Sequence, residues 1–296
     1  MKIAVIIKNF VFIGKKWFML MGSFFGLLSI ILSFVSWEDF GVKNVYGKVL
    51  IFVMIVVSTL FLAILWICCI KQKNTIWERG NGKIVIRYGD IMKIAFPKKE
   101  RENRIVVIPV NSCFDTQVDE ELTKQSKPLV SPNTIHGQWI RRMKKKGWEL
   151  KQLDEAIEKS IKLRGIRYIK KIEKQNKDRG NLKQYERGEV AVVEGDNGVN
   201  FFLLALTDFD DDNKAQSSKE SIIECLKKLL DFYNKSGQGF DIYIPLVGTG
   251  MARSGMSHEE SLQTIKSVFQ LYSDKINGEF NVVIYSKDKE KVSIFD

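Results

Sequence analysis

The hydrophobic pattern divides this chain into a short apolar part and a longer mixed part. Residues 17–37 and 49–70 form two runs without a single charged side chain. A helix needs about 20 apolar residues to cross a bilayer core, and both runs reach that length. The segment between them is polar and carries Gly41 and Gly47. The pattern therefore predicts a transmembrane helical hairpin within residues 1–70.

Downstream of this hairpin, short apolar runs alternate with helix-period patterns. The runs at 104–110 and 242–247 are nearly continuous, which is typical of strands buried on both faces. We interpret residues 71–83 as a linker and residues 84–296 as one α/β sandwich with a mixed sheet. Its predicted strands are 84–88, 104–110, 190–193, 201–206, 242–247 and 281–285. Its predicted helices are 154–174, 217–233 and 257–272, the last two with capping boxes at Ser217/Glu220 and Ser257/Glu260.

The charges around the apolar runs orient the hairpin. Lysine and arginine flank its outer ends, whereas the connecting loop balances two lysines with two acids. Excess positive charge stays on the cytoplasmic side. We therefore expect a multi-pass protein of the inner membrane, with both termini and the large domain in the cytoplasm. A cleaved signal peptide is the alternative for the first run, but no A-x-A-like site follows it.

A strongly basic stretch lies in the middle of the large domain. The net charge is +11, and residues 141–187 hold 17 Lys and Arg against 7 Asp and Glu. We expect a basic helical insertion at about 140–188. Three interpretations are open: a solvated helical face, a surface that rests on anionic lipid, or a nucleic-acid contact. Nucleic acid ranks last, because no helix-turn-helix, RNP-like or zinc-finger pattern accompanies the charge.

Glycine and polar residues follow three of the predicted strands. Gly248-Thr249-Gly250 lies between a strand and a helix, where successive N–H groups form either an anion cradle or only a tight turn. Gly89-Asp90 and Asn111-Ser112 end two other strands. Ligands of open α/β sheets bind outside the carboxyl ends of strands, so these turns predict one crevice. Two histidines and four scattered cysteines show no metal-site spacing, so we expect neither a metal ion nor a cofactor.

In their order and spacing these turns resemble the macro domain family, which binds ADP-ribose derivatives. The segments that carry the resemblance are Gly89-Asp90-Ile91, Ile108-Pro109-Val110-Asn111 and residues 245–251. Residues 111–116 and 135–138, with the hairpin ahead of them, look more specifically like the divergent macro domain of the Thoeris anti-phage systems. The resemblance implies a ligand-binding set of Asp90, Asn111, Ser112, Phe114, Gly137, Gly248, Thr249, Gly250, Met251, Arg253 and Tyr285.

The resemblance also implies roles within this set. Asp90 matches the residue that accepts a hydrogen bond from the adenine amino group, and Asn111 matches the first residue of the ribose-side loop. Residues 248–251 match the loop that wraps the diphosphate. Tyr285 stands where an aromatic ring often stacks on adenine, and a tyrosine at the edge of the core is the alternative.

For the whole chain, the resemblance implies a membrane-anchored effector without catalytic residues. In Thoeris systems a partner TIR-domain enzyme consumes NAD on infection and makes an ADP-ribose-type signal, which is a histidine conjugate in the transmembrane branch. The macro domain binds this signal, and the membrane segments then damage the bilayer and stop the infected cell. We expect a homo-oligomer. Gly22 and Gly26 form a G-x-x-x-G face on which the first span can self-associate, and the ordinary abundance of glycine in membrane helices is the alternative explanation of this motif.

Two other functions stay open on the sequence. A membrane-tethered ADP-ribosylhydrolase is the main alternative, and a membrane scaffold with a vestigial pocket is the other. The catalytic second Asn of hydrolytic macro domains falls at Phe114, and the glycine-rich stretch after that loop is missing, with Gly137 as its nearest substitute. Loss of a polar group that orients the distal ribose and a water favours a sensor over a hydrolase.

Overall fold

The computed structural model describes residues 3–99, 102–120, 129–175, 177, 179–209, 215–249 and 255–296. These residues divide into two compact units, which we call the hairpin unit and the sheet domain. The hairpin unit contains residues 3–74 and Lys289–Phe295, and the sheet domain contains Thr75–Asp288 and Asp296.

The hairpin unit is made of apolar helices, as the sequence predicts. Two helical stretches, Phe10–Leu32 and Val45–Ile70, are long and apolar enough to cross a membrane. The first begins earlier than predicted, because Lys15 and Lys16 continue the helical backbone without breaking it. The elements are α1 (Ile3–Lys8), α2 (Phe10–Leu32), α3 (Val45–Leu65) and a π-helical turn (Trp66–Ile70).

A hydrogen bond and a ring contact join α2 to α3. Trp17 Nε1 donates to Thr59 Oγ1 at 3.2 Å and to the Val56 carbonyl oxygen at 3.3 Å. The rings of Phe25 and Phe52 lie 5.3 Å apart. Thr59 is 1 % exposed. The hydrogen bond therefore gives the indole N–H and the threonine hydroxyl a polar partner in otherwise apolar surroundings.

The sheet domain is built around a mixed sheet. Its strands are β1 (Lys73–Arg79), β2 (Gly82–Gly89), β3 (Arg104–Asn111), β4 (Lys170–Lys171), β5 (Lys183–Gln184), β6 (Val190–Glu194), β7 (Val199–Phe209), β8 (Ala215–Gln216), β9 (Asp241–Pro245) and β10 (Glu279–Tyr285). The order is β1-β2-β10-β9-β3-β7-β6, with β8 paired to β7, while β4 and β5 pair separately. From β2 to β7 the neighbouring strands in this order run parallel, and β6 runs antiparallel to β7 in the predicted hairpin.

Helices cover both faces of this sheet. They are α4 (Ile91–Ala95), α5 (Ile135–Lys145), α6 (Leu150–Leu163), α7 (Lys219–Ser236) and α8 (His258–Leu271). On one face α4, α5 and α6 share an apolar core with β3 and β7, in which Trp139 packs edge-on against Phe201. On the other face, Tyr233 of α7 and Phe269 of α8 pack edge-on against Phe280 of β10. The predicted α/β sandwich with a mixed sheet is therefore confirmed.

Two predicted domain boundaries are wrong. Residues 71–83 are not a linker, because Lys73–Arg79 forms the edge strand β1 and β2 begins at Gly82. The polar composition of this edge strand hid it in the sequence. The C-terminal residues Lys289–Phe295, predicted as part of the sandwich, pack in the hairpin unit instead.

The basic insertion at 140–188 is helical only in its first half. Helix α6 ends at Leu163, earlier than predicted, and is followed by Gly165 with a φ of +66°. The small hairpin of β4 and β5 follows. Several cations of the stretch are neutralised within the domain, in the ion pairs Lys177–Asp115, Arg179–Asp119, Lys183–Glu158 and Arg187–Asp208.

One predicted capping box is confirmed and the other is displaced. Ser257 and Glu260 exchange hydrogen bonds at the start of α8. At the start of α7, however, Ser218 and Ser221 exchange them, one position after the predicted pair. Two consecutive serines precede this helix, so the sequence pattern alone does not select between them.

Candidate functional site

The carboxyl ends of the parallel strands bring predicted site residues to one edge of the sheet. Tyr285 at the end of β10 pairs with Gly89 at the end of β2, and Asp90 follows directly. Asn111 ends β3, and the turn with Gly248 follows β9. Because β10 and β9 lie between β2 and β3, the elements of the predicted crevice are side by side.

Asp90 caps the short helix α4. Its Oδ1 accepts a hydrogen bond from the Met92 N–H at 2.9 Å, and the residue is half-buried. A carboxylate has further acceptor positions on both oxygens. The predicted contact with an adenine amino group is therefore compatible with the cap, although the cap alone already accounts for an aspartate at this position.

Asn111 stabilises the loop that follows β3. Its Oδ1 accepts hydrogen bonds from the N–H groups of Cys113 at 3.1 Å and Asp115 at 3.2 Å. Asn111 is 4 % exposed and Ser112 is 1 % exposed. Both side chains are turned into the protein, so a ligand contact at either residue would have to use the main chain in this conformation.

Phe114 lies in the core rather than at the surface. It is 1 % exposed, and its ring packs edge-on against Tyr185 at 5.7 Å. Its φ of +52° falls in the left-handed region, which a bulky residue adopts only under constraint. Its N–H donates to the Asn111 carbonyl, and its own carbonyl accepts from Asn181. The prediction of Phe114 as a ligand contact therefore has no support in this conformation.

A buried ion pair ties the same loop to the basic insertion. Lys177 Nζ lies 2.9 and 2.7 Å from the two Asp115 carboxylate oxygens and 2.6 Å from the Asn181 carbonyl oxygen. The Asn181 N–H also donates to Asp115 Oδ1 at 2.7 Å. Burial raises the pKa of the Asp115 carboxyl, and Lys177 opposes this effect. Removal of either partner would leave a buried charge, at a cost of about 3–5 kcal/mol.

This ion pair could not be predicted from the sequence. Asp115 and Lys177 lie 62 positions apart, and Lys177 is one of many lysines in the basic stretch. The one local sign was an acidic residue inside an otherwise apolar and small loop. That sign points to a buried partner without saying which cation supplies it.

Gly137 is required by a close approach at the start of α5. Thr134 caps this helix by accepting a hydrogen bond from the Gly137 N–H at 3.0 Å. A Cβ on Gly137 would lie 2.1 Å from the Ser131 carbonyl oxygen, so no other residue fits without a backbone shift. This close approach explains the glycine at position 137 without any contact to a ligand.

His136 is a buried imidazole next to this close approach. It is 7 % exposed, and burial lowers its pKa from the ordinary 6.5 to about 3, against a smaller opposing effect of a hydrogen bond with the Asp115 backbone. The ring is therefore neutral at physiological pH and supplies no positive charge to an anionic ligand. Among the described residues, no three His, Cys, Asp or Glu side chains are placed to hold a metal ion.

The turn after β9 begins the predicted anion cradle. Gly248 has a φ of +82°, which glycine adopts freely and other residues do not. Ser261 of α8 donates from its hydroxyl to the Val247 carbonyl at 2.6 Å, which fixes the strand end to that helix. Thr249 is half-buried. Gly250, Met251 and Arg253 lie outside the described residues, so their contacts stay predictions.

Tyr285 keeps an accessible ring at this edge. It is 45 % exposed, and Lys287 Nζ lies 5.9 Å from the ring centroid. Of the predicted site residues that the structure describes, Tyr285 is the most exposed. An accessible aromatic face is a surface on which a nucleobase can stack.

Comparison with known proteins gives a family match. A family model described as "Thoeris protein ThsA, Macro domain" matches residues 84–285. The Thoeris protein ThsA of Bacillus amyloliquefaciens (strain Y2) is 25 % identical in an alignment 283 residues long, which covers 90 % of this chain and 86 % of that protein.

Solved structures give weaker matches. A mutant of the Oceanobacillus iheyensis macrodomain with ADPR has a TM-score of 0.41 and 13 % identity, and the match covers 74 % of this chain and 92 % of that chain. A Trypanosoma brucei macrodomain in complex with ADP-ribose has a TM-score of 0.36 and 9 % identity, with 70 % and 66 % covered.

We expect the buried His136 to make the sheet domain sensitive to acid. Between its ordinary pKa of 6.5 and about 3, the unfolded chain binds a proton at this ring and the folded chain does not. The free energy of unfolding therefore falls as the pH drops from 6.5 towards 3, by about 1.4 kcal/mol per pH unit. Urea unfolding of a fragment of residues 75–296 at pH 7 and pH 5 measures this loss.

The variant His136→Phe removes the titrating ring, and its loss between pH 7 and 5 should be smaller than the parent's by about 2 kcal/mol. His258→Gln is the matched control, because the His258 side chain is 22 % exposed and its removal should leave most of the parent's loss in place. Equal pH dependence in the parent and His136→Phe would show that His136 is not held neutral by burial.

Proposed function

The chain belongs to the Thoeris ThsA macro domain family, and from this we propose that it is a membrane-anchored effector that senses an ADP-ribose-derived signal. A TIR-domain enzyme makes the signal from NAD, and histidine–ADP-ribose is the specific ligand that we propose. The hairpin crosses the inner membrane twice and leaves both termini and the sheet domain in the cytoplasm. Bound ligand promotes association of the chains, membrane disruption and abortive infection.

The arrangement at the strand ends is the observation that carries this proposal. An acceptor at Asp90, an accessible ring at Tyr285 and a glycine turn at Gly248 follow neighbouring strands. These groups suit an adenine amino group, the face of the base and a diphosphate, all of which an ADP-ribose contains. The two apolar helices ahead of the sheet domain supply the membrane anchor.

The loop after β3 supports binding without turnover. Hydrolysis needs a polar side chain that orients the distal ribose and an attacking water. The residue at the matching position is Phe114, which is buried and has both peptide groups bonded within the protein. The same loop is pinned by the ion pair of Asp115 and Lys177, so the loop forms a fixed surface.

We expect Asp90→Ser to weaken the binding of ADP-ribose to residues 75–296 about tenfold or more, because a hydrogen bond to a charged acceptor contributes about 1.5–3 kcal/mol. Serine retains the cap of α4, so thermal unfolding without ligand should stay close to the parent's. Calorimetry measures the affinities. The inosine analogue of ADP-ribose lacks the amino group, and its affinity should change much less. Equal losses for both ligands would contradict the assignment of Asp90 to the base.

We expect Thr249→Glu to lower the affinity for ADP-ribose about tenfold or more, because it adds a negative charge to the turn where we place the diphosphate. Thr249→Gln has the same size without the charge and is the matched control. The difference between the two variants should shrink as salt is added. If both variants bind ADP-ribose equally well at low salt, the diphosphate lies elsewhere.

We expect the pair Gly22→Ile and Gly26→Ile to reduce ligand-triggered leakage from vesicles while leaving ligand binding intact. A Cβ on either glycine meets no atom within 4 Å, so the hairpin itself tolerates the added bulk. Association of spans through a small-residue face does not. Ser23→Ile is the control, because it adds an isoleucine side chain about 80° around the helix from the middle of the Gly22/Gly26 face. Unchanged leakage in the glycine pair would place the association face elsewhere.

A further inference from the structure

The segment Lys289–Phe295, which we call the latch segment, belongs to the hairpin unit although it follows the last strand of the sheet domain. Its central residues Val292, Ser293 and Ile294 are fully buried. Its residue Phe295 packs on one end of the hairpin, where α1 meets α2 and the π-helical turn follows α3. We call this surface the hairpin base, and its residues are Asn9, Phe12, Ile13, Ile67, Cys68 and Lys71.

A buried polar contact holds the middle of the latch segment. Ser293 Oγ donates to Asn9 Oδ1 at 2.5 Å, and the two residues are 0 % and 2 % exposed. The Asn9 amide nitrogen bonds to the Val5 carbonyl at 2.8 Å. Departure of the latch segment would therefore leave the Asn9 amide oxygen without this partner in an apolar environment.

An aromatic contact holds its end. The Phe295 ring stacks on Phe12 with centroids 4.5 Å apart, and Lys71 Nζ lies 5.5 Å from the centroid of the Phe295 ring. Asn74 donates from its amide to the Ile294 carbonyl at 3.2 Å. The latch segment is thus held by polar, stacking and cation–π contacts rather than by apolar contact alone.

The latch segment is connected at both ends to the sheet domain. Each connection leads to an element that begins or ends near the proposed ligand site. Upstream, only the short turn Ser286–Asp288 separates it from Tyr285. Downstream, its next residue Asp296 belongs to the sheet domain, where Lys266 of α8 donates to the Asp296 main-chain oxygen. Helix α8 itself follows the turn with Gly248. A shift of β10 or α8 on ligand binding would pull directly on the latch segment.

We propose that the latch segment is an autoinhibitory contact that couples the ligand site to the membrane hairpin. The inference rests on the proposed function. Release removes the Phe295 ring from Phe12 and the Ser293 hydroxyl from the Asn9 amide. A ligand drives this change only if it binds the released state more tightly, so a docked latch must weaken ligand binding in return.

A disulfide that fastens the latch segment tests the coupling. The full chain carries Cys68→Ala and Cys69→Ala, together with Asn9→Cys and Ser293→Cys, and is placed in phosphatidylethanolamine–phosphatidylglycerol vesicles with a trapped dye. The remaining Cys113 and Cys225 are buried. With histidine–ADP-ribose as the probe, the oxidised protein should leak about tenfold less and bind the probe more weakly than the same protein after reduction. Asn9→Cys without Ser293→Cys is the control, and its leakage and probe binding should be the same before and after oxidation.

Phe12→Cys with Phe295→Cys offers a second site for the bond, because these rings are stacked. If either oxidised pair leaks and binds the probe as well as its reduced form, the latch is excluded.

Loosening the latch segment tests the inference without any ligand. Ser293→Ala with Phe295→Ala removes the buried hydroxyl and the stacked ring, and this variant should leak without ligand and crosslink as dimers. Ser286→Ala is the control, because Ser286 is an exposed residue just upstream. This variant should cause no leakage without ligand. If the loosened variant leaks but the parent binds no ADP-ribose derivative, the coupling role of the latch segment stands and the proposed ligand is wrong. If the loosened variant causes no leakage without ligand and remains monomeric, the proposed role of the latch segment is wrong.

Discussion

In-register hydrogen bonds between parallel strands hold the sheet domain together. They run from β2 through β10, β9 and β3 to β7, and they fix the edge where these strands end and the predicted site residues lie. Helices bury the sheet on both faces, so a shift of register by one residue would move every side chain of a strand to the opposite face and against the wrong helices. The register is therefore strongly fixed, and with it the level at which each strand ends. Residues as distant in sequence as Gly89 and Tyr285 meet at that level for no reason other than this pairing.

The loop after β3 is held in one conformation by its own contacts. The loop after β3 has its hydrogen-bonding groups largely satisfied within the protein, by the Asn111 side chain, by Asn181 and by the ion pair of Asp115 with Lys177. Such a saturated buried network holds one conformation, because any alternative leaves polar groups unpaired. The neighbouring strand β9 is followed by Gly248, whose φ of +82° glycine adopts freely. A fixed loop beside this turn suits a site that has to recognise a ligand.

Much of the fold could be predicted from the sequence because its main signals are local. The uncharged runs, the continuous apolar strands and the Ser257/Glu260 cap each lie within one short window. What the sequence analysis missed depends on residues that meet only in three dimensions. The ion pair of Asp115 with Lys177 joins loops 62 positions apart, and the core position of Phe114 depends on that same contact region. The strand β1 was missed for another reason, since an edge strand with few apolar residues has no pattern of its own.

The contact between Ser293 and Asn9 spans 284 residues and so has a consequence during protein synthesis. At roughly 5–20 residues per second, a ribosome reaches Ser293 tens of seconds after Asn9. Both long helices leave the ribosome well before that moment. In the nascent chain, the hydrogen bond of Trp17 with Thr59 is already available, whereas Asn9 waits for its partner. The membrane part thus acquires its final contacts only when the codons for residues 289–295 have been read, and every unfinished chain carries its hairpin without them.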